Sequence, residues 1–196
     1  MNAIALPPPI NIQPKVPRKQ KKVITFITVT LNLNDARKRI EWLISMFSKL
    51  KYNNIEFKVI GNDNEGIAKK YKHDSRINFL NKLTREEVFM EYLKSDVFLF
   101  ASISDTWGYV LTEAMSNGLA VFAPNIYPFD YIIGNNNFLY DIKSENELIS
   151  KINNLIENQQ IEKEKQYFYS RALEKFSGKS FASKIEKIAI TMAKKA

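Results

Sequence analysis

Six short runs rich in β-branched and aromatic residues recur along this chain, and amphipathic stretches separate them. VITFITVTL (23–31), IEFKVIG (55–61), RINFLN (76–81), VFLFAS (97–102), LAVFAP (119–124) and NNFLYD (136–141) have the length and make-up of buried strands. DARKRIEWLISMFSKL (35–50) carries Ile40, Leu43, Ile44 and Phe47 at helical spacing, and TREEVFMEYLKS (84–95) opens with Thr84 and Glu87 as a capping box. NEGIAKKYKHD reads as a short polar helix, and Gly108 to about Asn117 as another, closed by Gly118. SENELISKINNLIEN (144–158) has its own capping box, Ser144 and Glu147, and two helical stretches follow, to residue 176 and from about 180 to 195. Strands alternating with helices across short links predict right-handed βαβ units. The expected fold is a Rossmann-like three-layer α/β/α domain with a parallel sheet of about six strands.

Length and composition narrow the field. A chain of 196 residues suffices for one domain with a buried core. It has no cysteine, which excludes disulfides, thiolate zinc sites and a cysteine nucleophile and fits a reducing compartment. MNAIALPPPINIQPK has neither the basic start nor the apolar core of a secretory signal. The longest apolar runs are strand-length and too short to cross a bilayer. A cytoplasmic location is expected. The net charge of +8 is uneven: Lys15, Arg18, Lys19, Lys21 and Lys22 lie within the first 22 residues, where there is no acid. Residues 1–22 read as a basic, Pro-rich tail or interdomain linker, and residues 23–196 as the domain. The basic stretch suits an acidic lipid surface as well as solvent. It lacks the interleaved aromatics of single-strand binders, and no nucleic acid is expected as a partner.

Parallel sheets bind ligands beyond the carboxyl ends of their strands. SISDTWGYVLTEA (102–114) stands at such an end, after VFLFA and before a helix. A helix N-terminus presents free N–H groups and a partial positive charge, a natural seat for phosphate. Gly108 lets another group approach the backbone closely. Asp105 and Glu113 would repel a phosphate unless they face hydroxyls, so the combination suggests a nucleotide-sugar. On spacing alone a plainer reading stands beside it, with Asp105 a helix cap and Glu113 in solvent.

The run ASISDTWGYVLTEAMSNGLAVFAP resembles the donor-binding segment of the group 1 retaining glycosyltransferases of the GT-B fold, which carry an acid-x7-acid motif. Here the motif is Asp105-x7-Glu113, with Trp107-Gly108 in the place of the family's aromatic-Gly pair. FKVIGN followed by RINFLNKLTREEVFMEYLKSDVFLF, the segment RKRIEWLISMF, KFSGKSFASKIEKI and ALPPPIN (5–11) resemble further family segments in the same order. The resemblance implies that Glu113 accepts the ribose hydroxyls and that Asp105 contacts the transferred sugar. It implies that the amides around Gly108 and Tyr109 bind the diphosphate, beside Trp107, and that Lys38 neutralises the leaving diphosphate. Lys38 and Asp105 are then the residues nearest the chemistry. A fixed cation and preorganised N–H donors stabilise charge where it develops, so neither a metal nor another cofactor is called for. The implied substrate is an NDP-sugar, UDP- or GDP-linked.

Two positions depart from the family pattern. Leu33 stands where the family has an arginine five residues before the lysine; Arg37 and Arg39 are the candidate substitutes, but they flank Lys38 in sequence and would point elsewhere on a regular helix. Asp105 is one methylene shorter than the family's glutamate. Asn81 and Lys82 follow the third strand, where the family places the nucleobase, and are expected at the rim. Tyr127, Phe129 and Tyr131 replace a small glycine-containing loop and read as packing, with sugar specificity as the alternative. His73 is expected at the surface, and Trp42 in or near the core. The family's acceptor site lies in an N-terminal half, so this chain is expected to bind donor and to need that half for transfer. A flavodoxin-like module or a degenerate GT-B interaction module remains open; a dinucleotide site does not, because VTLNLNDARKR stands where G-x-G-x-x-G belongs.

Overall fold

The computed structural model describes residues 6–12, 23–63 and 66–193. The basic residues Lys15 to Lys22 lie outside them. Strands β1 (Ile24–Asn32), β2 (Ile55–Asn62), β3 (Ile77–Leu80), β4 (Val97–Leu99), β5 (Ala120–Pro124) and β6 (Leu139–Tyr140) form one sheet in the order β3-β2-β1-β4-β5-β6. Every pairing is parallel. The expected Rossmann-like sheet is thus present.

Among the described residues eight α-helices accompany it: α1 (Ile40–Ser48), α2 (Ile67–Lys70), α3 (Arg85–Leu93), α4 (Tyr109–Ser116), α5 (Phe129–Ile133), α6 (Glu145–Glu157), α7 (Ile161–Phe176) and α8 (Gly178–Ala193). Phenylalanines tie the layers together. Phe26 of β1 meets Phe47 of α1 edge-on at 5.6 Å, and Phe47 meets Phe57 of β2 at 5.0 Å. Phe122 of β5 packs on Phe138 at 4.8 Å, and Phe138 meets Phe168 of α7 at 5.0 Å. All but Phe138 are fully buried or within 1% of it. Each stabilises the fold by about 2–3 kcal/mol through removal of apolar area from water.

Three departures from the expected elements bear on function. The first helix begins at Ile40 rather than 35. Short polar side chains capture the backbone upstream: Asn32 Oδ1 accepts the Asn34 N–H and Asp35 Oδ1 the Arg37 N–H. Such local bonds compete with helix formation. Arg39 then takes a left-handed φ of 52°. Arg37, Lys38 and Arg39 are therefore loop residues, not helix neighbours. The sixth strand shrinks to two residues behind a 3-10 turn at Asn136–Phe138. The aromatic segment after β5 contains a helix, α5, whose C-terminal end is held from outside. Arg171 donates to the carbonyls of Tyr131 and Ile132.

The segment 6–12 docks against the body. The Ile10 N–H donates to the Phe176 carbonyl at 2.8 Å, and Ile10 bridges Ser177 at the joint between α7 and α8. Helix α8 itself has no buried residue.

Candidate nucleotide-sugar site

The chain enters the sheet at β1, works outward to β3, then crosses back to β4 beside β1. Parallel sheets hold ligands at such a reversal, beyond the carboxyl ends of the strands, where the loops after β1 and β4 lie. One backbone bond holds the two loops together: the Ile103 N–H donates to the Arg37 carbonyl at 2.9 Å.

That bond sets Lys38 opposite Asp105. Lys38 Nζ donates to Asp105 Oδ2 at 2.7 Å, with both side chains roughly one-quarter exposed (24% and 22%). The Phe100 ring lies 5.9 Å below the ammonium. The other carboxylate oxygen, Asp105 Oδ1, accepts the N–H groups of Gly108 at 3.1 Å and Trp107 at 3.3 Å. Burial alone would raise the Asp105 carboxyl. The Lys38 ammonium and these amides outweigh it and hold the group below the usual carboxylate value.

Gly108 enters α4 with a φ of 78°. A Cβ there would lie 3.1 Å from Leu111 Cδ1 and 3.3 Å from Phe129 Cε1. Backbone conformation and packing thus both call for glycine. Phe129 is wholly buried and meets Phe100 edge-on at 5.0 Å, so this member of the aromatic cluster is core. Tyr127 and Tyr131 are exposed. Trp107 packs its ring 5.9 Å from Phe176 and 6.1 Å from Tyr131, which joins the motif loop to the α7–α8 joint.

Glu113 sits one turn further along α4, with Arg85 Nη2 of α3 at 3.6 Å. Burial raises its carboxyl above the ordinary value despite that guanidinium. A raised folded-state value means that the contribution of Glu113 to stability is complete below the unfolded value. It is lost as pH rises through the folded one, where ionisation of Glu113 opposes folding. Tyr109 is half exposed at the helix start.

Beyond the ends of β1, β2 and β3 lies a cleft of about 420 Å³ lined by Leu33, Gly61, Asp63, Lys69, Leu80 and Asn81, among others. Leu33 is almost wholly buried and offers no charge. Asn81 lines this cleft; Lys82 is exposed and does not. The two arginines are otherwise engaged. Arg37 makes a bidentate pair with Asp35, and Arg39 donates to the Ile142 carbonyl and stacks 4.3 Å over Trp42. Trp42 is half-buried and stacks on Tyr140, and His73 is exposed.

The geometry therefore joins Lys38, Asp105, Trp107 and Gly108 in one cluster, with Glu113 on the same helix and Asn81 on the neighbouring cleft. Arg85, Asp63 and Lys69 belong to the surroundings but carry no motif of their own. A helix N-terminus with Gly108 as its cap residue, a cation beside it and a cleft beyond the neighbouring strand ends can receive an anionic ligand with a hydroxylated extension. Among the described residues no cluster of three or more His, Cys, Asp or Glu side chains is arranged for a metal ion.

Residues 10–174 match the model of the glycosyl transferases group 1 family. The chain belongs to this family. It is 31% identical over 129 residues to the sulfoquinovosyl transferase of Arabidopsis thaliana, covering 63% of this chain and 25% of that protein. Its fold matches the lipopolysaccharide outer core galactosyltransferase WaaB in apo form, with a TM-score of 0.76, 16% identity, and 94% and 54% of the two chains covered. It also matches the crystal structure of the C-terminal domain of the group 1 glycosyl transferase LpcC from Francisella tularensis. There the TM-score is 0.67, the identity 21%, and the coverage 80% of this chain and 89% of that one. This group 1 glycosyltransferase chain thus spans a quarter of the length of the Arabidopsis relative.

Proposed function

We propose that this chain is the nucleotide-sugar-binding half of a glycosyltransferase that moves a hexosyl group from an NDP-sugar to a glycan or lipid-linked acceptor. The observation that carries the reading is the convergence of Lys38, Asp105 and the start of α4 at the reversal of strand order. A diphosphate seated there lies at a helix N-terminus within reach of a cation, and the developing charge of the leaving group is stabilised where it forms. The cleft bounded by Asn81 takes the base. Glu113 accepts hydrogen bonds from the ribose. Catalysis is retaining and needs no metal, as the family resemblance implies. The acceptor comes from an N-terminal domain. The LpcC match, with a C-terminal domain covered over most of its length, supports placing this chain on the donor side. Helix α8, with nothing buried, offers a face to that partner, and the enzyme works in the cytoplasm at the inner face of a membrane.

Calorimetric titration with UDP, GDP and ADP tests the reading. Selective binding of UDP or GDP, weakened at least tenfold in Glu113→Ala, is the expected result. If none of the three nucleotides binds the folded chain, the donor-site reading fails.

A further inference from the structure

The Asp105 carboxylate occupies the seat proposed for the donor diphosphate. Its two oxygens take the Lys38 ammonium on one side and the Gly108 and Trp107 amides on the other. The ammonium is the cation that an incoming phosphate would use, and the two amides hold the carboxylate in place just ahead of α4. The local charge balance sharpens the conflict. Leu33 brings no cation, Arg37 is paired with Asp35, and Arg39 is spent on a carbonyl and on Trp42. Among the described residues Lys38 is the cation that forms an ion pair with Asp105, and Asp105 offsets its charge.

We infer that Asp105 is a built-in competitor of the diphosphate, and that donor binding requires Lys38 to exchange the Asp105 carboxylate for a phosphate oxygen. The inference rests on the donor-site reading above and adds a control to that site. The short side chain is what makes it work. Aspartate hydrogen-bonds to backbone amides two and three residues ahead, as a helix cap does, and this fixes its second oxygen toward Lys38. The carboxylate stays on the helix start while the ammonium, on a flexible four-carbon stem, is the part able to move. A ligand without an anion gains nothing from the exchange. The pair thus favours ligands whose negative charge is dense enough to outbid a carboxylate.

Asp105→Asn tests this cleanly. The amide oxygen keeps the cap to Gly108 and Trp107, while the charge that holds Lys38 is gone. Wild type, Asp105→Asn, Lys38→Met and the double variant are titrated with UDP, GDP and inorganic pyrophosphate, none of which carries a transferable hexosyl group. Thermal unfolding confirms that each is folded. Loss of a charge-assisted partner predicts that Asp105→Asn binds the preferred nucleotide and pyrophosphate about tenfold or more tightly than wild type. The gain must vanish on the Lys38→Met background. Equal or weaker binding by Asp105→Asn overturns the inference while leaving a working donor site in place. A gain that survives Lys38→Met also overturns it. Binding of no nucleotide by any of the four proteins overturns the donor-site reading, and this inference with it.

Discussion

Strand β4 is bracketed by two lysine–aspartate pairs that look alike and do different things. Asp96 precedes the strand and pairs with Lys165 at 3.1 Å; Asp105 follows it and pairs with Lys38 at 2.7 Å. At the first pair the lysine is 7% exposed and is shared with Glu162, while the second oxygen of Asp96 accepts the Thr25 amide. Every charge there has a fixed partner. At the second pair the lysine is about three times more exposed, at 24% against 7%. The difference follows from the architecture. In a parallel sheet the amino ends of the strands are closed by packing, whereas the carboxyl ends at a reversal of order are where ligands enter.

Substitutions at the two ends can break or sharpen this contrast. Lys165→Met has the largest expected effect, because it strands the Asp96 carboxylate in a nearly closed site. Breaking a buried pair from one side costs about 3–5 kcal/mol, which should lower the midpoint of thermal unfolding by roughly 10 °C. Nucleotide binding measured well below that midpoint should be unchanged. Next comes Gly108→Ala at the carboxyl end. Its positive φ and the 3.1 Å approach to Leu111 predict a loss of about 1–3 kcal/mol in denaturant unfolding, together with weaker nucleotide binding. Lys38→Met is the mildest for stability, about 0–1 kcal/mol, because the pair is partly solvated, yet it should weaken nucleotide binding about tenfold. Should Lys38→Met unfold the protein as readily as Lys165→Met, the two pairs would be equivalent and the contrast would be wrong.

Much of the fold was legible because its signals are local. Thr84 and Glu87 form the capping box that their spacing announces, and Gly118 ends α4 with a φ of 73°. The strand cores were visible in their β-branched runs. The start of α1 was not, since Asn32 and Asp35 divert the backbone with side-chain bonds that residue propensities do not register. Helix α5 was missed for a different reason. Five residues carry too little periodicity, and its end is fixed by Arg171, 39 and 40 positions away. In the site, the motif spacing and the family resemblance singled out Lys38, Asp105 and Gly108. They could not reveal that Lys38 and Asp105 touch, because 67 residues separate them and a single backbone bond between loops sets their meeting. Nor did anything mark Arg85 as the neighbour of Glu113, which is purely a matter of how α3 and α4 lie.

Helix α8 has sixteen residues and buries none of them. That length is close to the limit at which an isolated helix holds its winding in water. Phe181, Ile185, Ile188 and Met192 fall along one edge, and Ile185 and Met192 remain substantially open to solvent. A segment built this way behaves less like masonry than like a latch. The surface that closes over that edge will supply the energy to tighten the last four turns. On the donor-half reading proposed above, the order of the tail becomes a readout of docking by the N-terminal domain.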